Sequence, residues 1–160
     1  VQHATANSGC MPGMALHMSP DGDWHIGDNP LDLDAFLHEI GAEGYAIHET
    51  RHSLCVNCGS TVFGISGDPD QGAIRRECRG CGAGHFVAGC DDDWSDDHAD
   101  SVVCLCGEKD FNIAVGYSLY AERTGIRALT TAERCTSCGR IESFTGWMVR
   151  GGALHLLDLA

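Results

Sequence analysis

Four short cysteine knuckles constrain this chain more than any other feature of its sequence. They read Cys55-Val56-Asn57-Cys58, Cys78-Arg79-Gly80-Cys81, Cys104-Leu105-Cys106 and Cys135-Thr136-Ser137-Cys138, and each is followed at once by a glycine: Gly59, Gly82, Gly107 and Gly139. A two-residue spacer lets both sulfurs of a knuckle face one ion while backbone N–H groups turn toward the thiolates. The next residue then needs a positive φ, which glycine takes without steric cost. Four thiolates at the corners of a tetrahedron suit Zn²⁺.

Ten cysteines in 160 residues mean either disulfides in an oxidising compartment or metal thiolates in a reducing one. Residues 1–30 contain no Lys or Arg and no long apolar run, unlike a secretory leader. No stretch approaches the roughly 20 apolar residues of a membrane helix. The expectation is therefore a cytoplasmic chain that touches no membrane and carries metal thiolates.

Spacing gives the pairing. Cys55 and Cys58 face Cys78 and Cys81 across 19 residues, and Cys104 and Cys106 face Cys135 and Cys138 across 28. Both spans suit a β-hairpin with its loop. Crosswise closure, 55/58 with 135/138, stays open, although neighbouring closure costs less loop entropy. The two halves also repeat: Phe63 and Ile65 follow Cys58 at the offsets at which Phe111 and Ile113 follow Cys106. Phe86 and Phe144 follow the closing knuckles one register apart. Such spacing implies a duplicated knuckle–hairpin–knuckle element, with the phenylalanines packed beneath the metal.

On these residues the chain resembles tandem zinc ribbons of the rubredoxin-like class, over about residues 52–150. The fold expected is mainly β with a small α component: two zinc-ribbon-like β-hairpin lobes preceded by an N-terminal helix. Its parts are a flexible arm over 1–28, a helix and short strand over 29–51, lobe 1 over 52–90, an acidic linker over 91–100, lobe 2 over 101–150 and a tail over 151–160.

Local signals fill in this outline. Cys10 stands alone in the arm, where His3, His17 and His25 read as solvated residues and Met11, Met14 and Met18 as alternative starts. Asn29 can cap a helix and Pro30 fits its first turn. Leu33, Phe36, Leu37 and Ile40 form a one-sided apolar stripe, Asp32 and Asp34 suit the helix N-terminus, and Gly41 or Gly44 can end it. A short strand is expected over 45–51. Segments 61–65 and 73–77 flank a turn-rich loop and predict a hairpin. Alternation from Phe111 to Leu119 predicts a half-buried strand, followed by strands over 126–132 and 141–149.

Function is less constrained. The formal charge of −13 becomes more negative when eight thiolates take up two divalent ions, and such a field repels phosphate backbones. Arg75, Arg76 and Arg79 form the one local basic cluster that favours nucleic acid. Residues 91–100 are a dense acidic run in which Trp94 can anchor a basic partner. Four-cysteine sites are closed, as structural zinc sites are. The reading is a structural zinc-binding protein with two Zn²⁺ per chain, a non-enzymatic adaptor or regulator. It binds a protein partner through residues 91–100 or the ribbon surfaces. The alternatives are a zinc enzyme using the irregular Cys104/Cys106 site with Cys90, His98 and Glu108 nearby, a rubredoxin-like iron carrier, and a nucleic-acid-binding ribbon.

Overall fold

A computed structural model describes residues 16–68, 70–149 and 153–160, apart from the side chain of Trp147. Cys10, His3, Met11 and Met14 lie outside the described residues. The chain is built on antiparallel strands: β1 (His17–Met18), β2 (His25–Ile26), β3 (Glu49–His52), β4 (Phe63–Asp68), β5 (Ala73–Cys78), β6 (Gly84–Phe86), β7 (Asp100–Ser101), β8 (Phe111–Leu119), β9 (Ile126–Cys135), β10 (Arg140–Glu142) and β11 (Gly146–Met148). They join one sheet in the order β1-β2-β10-β9-β8-β4-β5-β6, with β11 on β9, β3 on β8 and β7 on β4.

One helix, α1 (Asp32–Ala42), lies on this sheet. Asn29, expected as the cap, instead opens a turn before the helix, whose N-cap position is Leu31. Its Oδ1 accepts the Leu31 N–H at 2.9 Å, and Asp32 Oδ2 accepts the Asn29 N–H at 3.0 Å. These reciprocal bonds satisfy donors that a helix N-terminus leaves open. Leu33, Phe36 and Leu37 are buried against Ala114, Ala132, Ile47 and Ile141.

All nine residues of β8 are buried, where alternation predicted only one covered face. The reason lies in side-chain size. Phe111, Ile113, Val115, Tyr117 and Leu119 enter the larger core. The other parity is Asn112, Ala114, Gly116 and Ser118, small residues that leave room for a helix. A Cβ on Gly116 would meet Leu37 Cδ2 at 3.1 Å and Ile47 Cδ1 at 3.0 Å.

Other boundaries move for local reasons. Pairing of β3 begins only where Glu49 meets Tyr117, so the strand expected from residue 45 starts four residues later. The strand expected over 141–149 is split into β10 and β11. There the Phe144 N–H turns to Glu133 Oε2 at 3.1 Å, and Thr131 donates its N–H to Thr145 O at 2.9 Å. From Leu16 the expected arm carries β1 and β2, and β2 pairs with β10. The acidic segment is likewise structured, with Val87–Asp93 in a kinked 3₁₀ segment whose backbone leaves the helical region at Ala88, Gly89 and Cys90, and Asp100 in β7. A second 3₁₀ helix, Leu154–Leu159, docks the tail: Leu156 and Leu157 pack on the larger core, and Tyr117 Oη donates to Leu156 O at 2.9 Å.

The registers repeat. In the first half Phe63 faces Cys78 across the hairpin, and in the second Phe111 faces Cys135. Phe63 and Phe111 in turn pair with each other, which joins β4 to β8. The strand leading into each first knuckle crosses to the other half. His52 pairs with Ala114, and Ser101, three residues before Cys104 as His52 is before Cys55, pairs with Ser66. The next bonds repeat too: Ser53 N–H to Ile113 O and Val102 N–H to Ile65 O, both 2.9 Å. Each half thus completes its sheet with a strand from the other.

Candidate metal centres

The four knuckles close in two groups. Cys55, Cys58, Cys78 and Cys81 form one, and Cys104, Cys106, Cys135 and Cys138 form the other, with the four sulfurs of each group within 4.8 Å of one another. The nearest pairs are Cys58–Cys78 at 3.4 Å and Cys55–Cys81 at 3.6 Å, then Cys104–Cys138 at 3.5 Å and Cys106–Cys135 at 3.6 Å. A tetrahedral ion with Zn–S bonds of about 2.3 Å sets its sulfurs about 3.8 Å apart. Disulfide sulfurs stand about 2.05 Å apart, and the nine described cysteines are all free. Donor type, number and spacing therefore fit a tetrahedral divalent ion. Crosswise pairing is not adopted.

Local backbone explains how the sulfurs converge. Gly59, Gly82, Gly107 and Gly139 have φ of 75°, 75°, 89° and 75°, the conformation for which glycine was expected. The N–H of Gly59, Gly82 and Gly139 returns to the carbonyl of the first cysteine, at 2.8, 2.8 and 3.1 Å. With one residue fewer, Gly107 makes the same return to Cys104 O at 2.8 Å. The short knuckle is a tighter turn with the same exit, and neither sulfur is lost from the group. In every knuckle the first cysteine is buried and the second exposed, so each cage is half sunk in the sheet.

Backbone N–H groups face the sulfurs. Gly80 N lies 3.3 Å from Cys78 Sγ. Ser60, Ala83 and Glu108, each two residues past a second cysteine, point theirs at Cys58, Cys81 and Cys106. Without an ion the thiols of a cage share protons unequally. Burial opposes ionisation of Cys78, but N–H groups of Cys81 and Gly80 and the Cys58 thiol outweigh it and draw Cys78 down to about 6. The Glu108 N–H leads in holding Cys106 at about 7, against burial. Burial, with the neighbouring thiols, pushes Cys104 up to about 12. A divalent ion replaces those protons, so binding releases them and is pH-dependent.

Beneath the cages Phe63 and Phe111 are buried as expected, but Phe144 is 39% exposed and meets Phe111 edge-on at 6.2 Å. Phe86 instead holds Trp94, edge-on at 5.4 Å. Residues considered for an open second site lie in other roles. Cys90 is buried against Ile74, taking its N–H and donating to its carbonyl. Glu108 caps its own turn by accepting the N–H groups of Lys109 and Asp110. His98 stands with Asp68 and Asp70 in a separate group of donor atoms. The arginine cluster is dispersed: Arg76 is buried over the Phe63 ring, and Arg79 is bound to Asp110 and Glu77.

Among the described residues no helix is long and apolar enough to cross a membrane. Comparison with protein-family models, curated proteins and solved structures finds no match.

Proposed function

We propose that this chain is a structural zinc protein, a non-enzymatic adaptor or regulator built of two zinc-ribbon-like halves. Cys55, Cys58, Cys78 and Cys81 hold one Zn²⁺, and Cys104, Cys106, Cys135 and Cys138 hold the second. The single observation that carries this reading is the spacing of eight sulfurs in two cages of four, each with the donors a closed tetrahedral site requires. Bound zinc supplies a cross-link between hairpin strands, worth about 10–16 kcal/mol of apparent binding energy in small fingers. Thiolates persist in reducing surroundings, which supports a cytoplasmic setting.

The adaptor role rests on what the rigid cages present. Leu54 and Val56 at the first knuckle are 54% and 81% exposed, and Val103 and Leu105 at the equivalent place in the second half are 48% and 78% exposed. Paired aliphatic tips beside a strongly acidic chain suit a partner with apolar and basic groups. Metal analysis of the native protein tests the scaffold, with about two zinc per chain expected. A red, iron-loaded protein, or a metal-free protein with bridged cysteines, overturns it. Affinity capture with wild type and a Val56→Asp/Leu105→Asp variant tests the adaptor role, and equal capture by both rejects the tips as the contact. Metal-dependent turnover lost on changing Cys104 overturns the non-enzymatic reading.

A further inference from the structure

Away from the sulfur cages, donor atoms of Asp68, Asp70 and His98 lie within 4.8 Å of one another. The topology brings them together. Asp68 ends β4 and Asp70 stands in the turn to β5, while His98 precedes β7, which pairs with β4 at Gly67 and Asp100. Asp68 is only 1% exposed. Its Oδ1 accepts the N–H groups of Asp70 and Gln71 at 3.1 and 3.2 Å. Its Oδ2 is buried, and among the described residues it has no hydrogen-bond partner. A buried carboxylate oxygen without a donor is costly, and beside the donor atoms of Asp70 and His98 a shared cation removes that cost.

We propose that Asp68, Asp70 and His98 form a third cation site, which takes a divalent first-row transition ion with water completing its coordination. Two carboxylates neutralise the ion, and the imidazole nitrogen favours the Mn²⁺-to-Zn²⁺ series over Mg²⁺ and Ca²⁺. His98 Nδ1 and Asp70 Oδ2 are 3.8 Å apart on side chains 57% and 72% exposed. Ligand bonds of about 2.1 Å bring such atoms to roughly 3.0–3.4 Å, a closure that two solvent-facing side chains can make around a fixed Asp68. Unlike the cages, this site has only three protein ligands. Asp68 also lines a cleft of about 350 Å³ together with Asp100, Ser101, Phe144 and Thr145.

This site contains no sulfur, so it can be read separately from the cages. Mn²⁺ is the probe, because thiolate cages prefer softer ions and Mn²⁺ stands lowest in the affinity order. The full chain, loaded with zinc and freed of excess metal, is titrated with Mn²⁺ and followed by electron paramagnetic resonance of the free ion. About one tight Mn²⁺ per chain is expected. His98→Ala should weaken it at least tenfold and Asp68→Asn should abolish it, with zinc content unchanged in both. His98 is exposed, so its variant carries the test should Asp68→Asn fail to fold. No Mn²⁺ binding by wild type, or equal binding by wild type and His98→Ala, overturns the site and leaves the zinc cages standing.

Discussion

The glycine after each second cysteine carries the turn that aims two sulfurs at one point. Around Gly107 nothing lies within 4 Å of where a Cβ would stand, and its φ is 89°. Substitution there tests backbone strain without steric collision. Gly107→Ala should lower stability by about 1–2 kcal/mol, read by denaturant unfolding of the metal-loaded protein. Glu133 offers a second test. It is wholly buried, and desolvation raises its carboxyl from 4.5 to about 8. Oε2 accepts the Phe144 N–H, whereas Oε1 has no partner among the described residues, as suits a protonated acid. The folded state thus holds a proton that the unfolded chain has released between about 4.5 and 8. This group's stabilisation is full at the acid end of that window and is lost as pH rises through it. Glu133→Gln should flatten that fall, so the variant gains on wild type as pH rises from about 4.5 to 8 and no further above it, as thermal unfolding at each pH will show. Equal slopes would place the proton elsewhere.

Among the elements, α1 is seated by what β8 lacks. The small parity of β8, with Gly116 under Leu37 and Ile47, lets a helix lie close to the strand. Gly116→Val adds methyl groups where contacts are already tight and should cost about 1–3 kcal/mol. Calorimetry will measure that loss, and near-ultraviolet circular dichroism will report the shift of Tyr117 beside it. The same strand supplies the register of both halves. β9 binds its long edge, and β3 crosses over from the first half to pair with Ala114 to Tyr117. Arg79 adds a tie between halves, with Nε 2.7 Å from Asp110 Oδ1. At 36% and 39% exposure of the two side chains, that pair contributes little in water.

For the molecule as a whole, exchanged lead-in strands mean that neither half has a complete sheet alone. The larger core draws Phe63, Ile65 and Ile74 from one half and Phe111, Ile113, Val115 and Tyr117 from the other. Metal loss at one cage should therefore disturb both. Cys58→Ala, which removes one sulfur from the first cage, should give a single unfolding transition at lower temperature, and hydrogen exchange should accelerate in β9 as well as β5. Two separated transitions, with β9 protected, would show independent lobes. Thorough chelation of wild type should unfold the chain in one step, because bound metal is part of the folding free energy.

The sequence alone determined the cysteine knuckles, the four turn glycines, α1 and the hairpins, because each depends on neighbours within a few residues or on one short loop. Spacing favoured Cys55 with Cys81 and Cys104 with Cys138 but left crosswise closure open, and the folded sheet selects the neighbouring pairs. Tertiary structure alone decided the rest. The two halves trade strands, small residues of β8 lie under a helix, and the tail from Leu154 covers the larger core. Asp68 and His98, 30 positions apart in the sequence, meet only because β7 pairs with β4. Such contacts join surfaces distant along the chain, and local preference cannot specify which of several apolar or polar faces will meet. That choice follows from burying both faces of β8 at once, which requires the whole sheet.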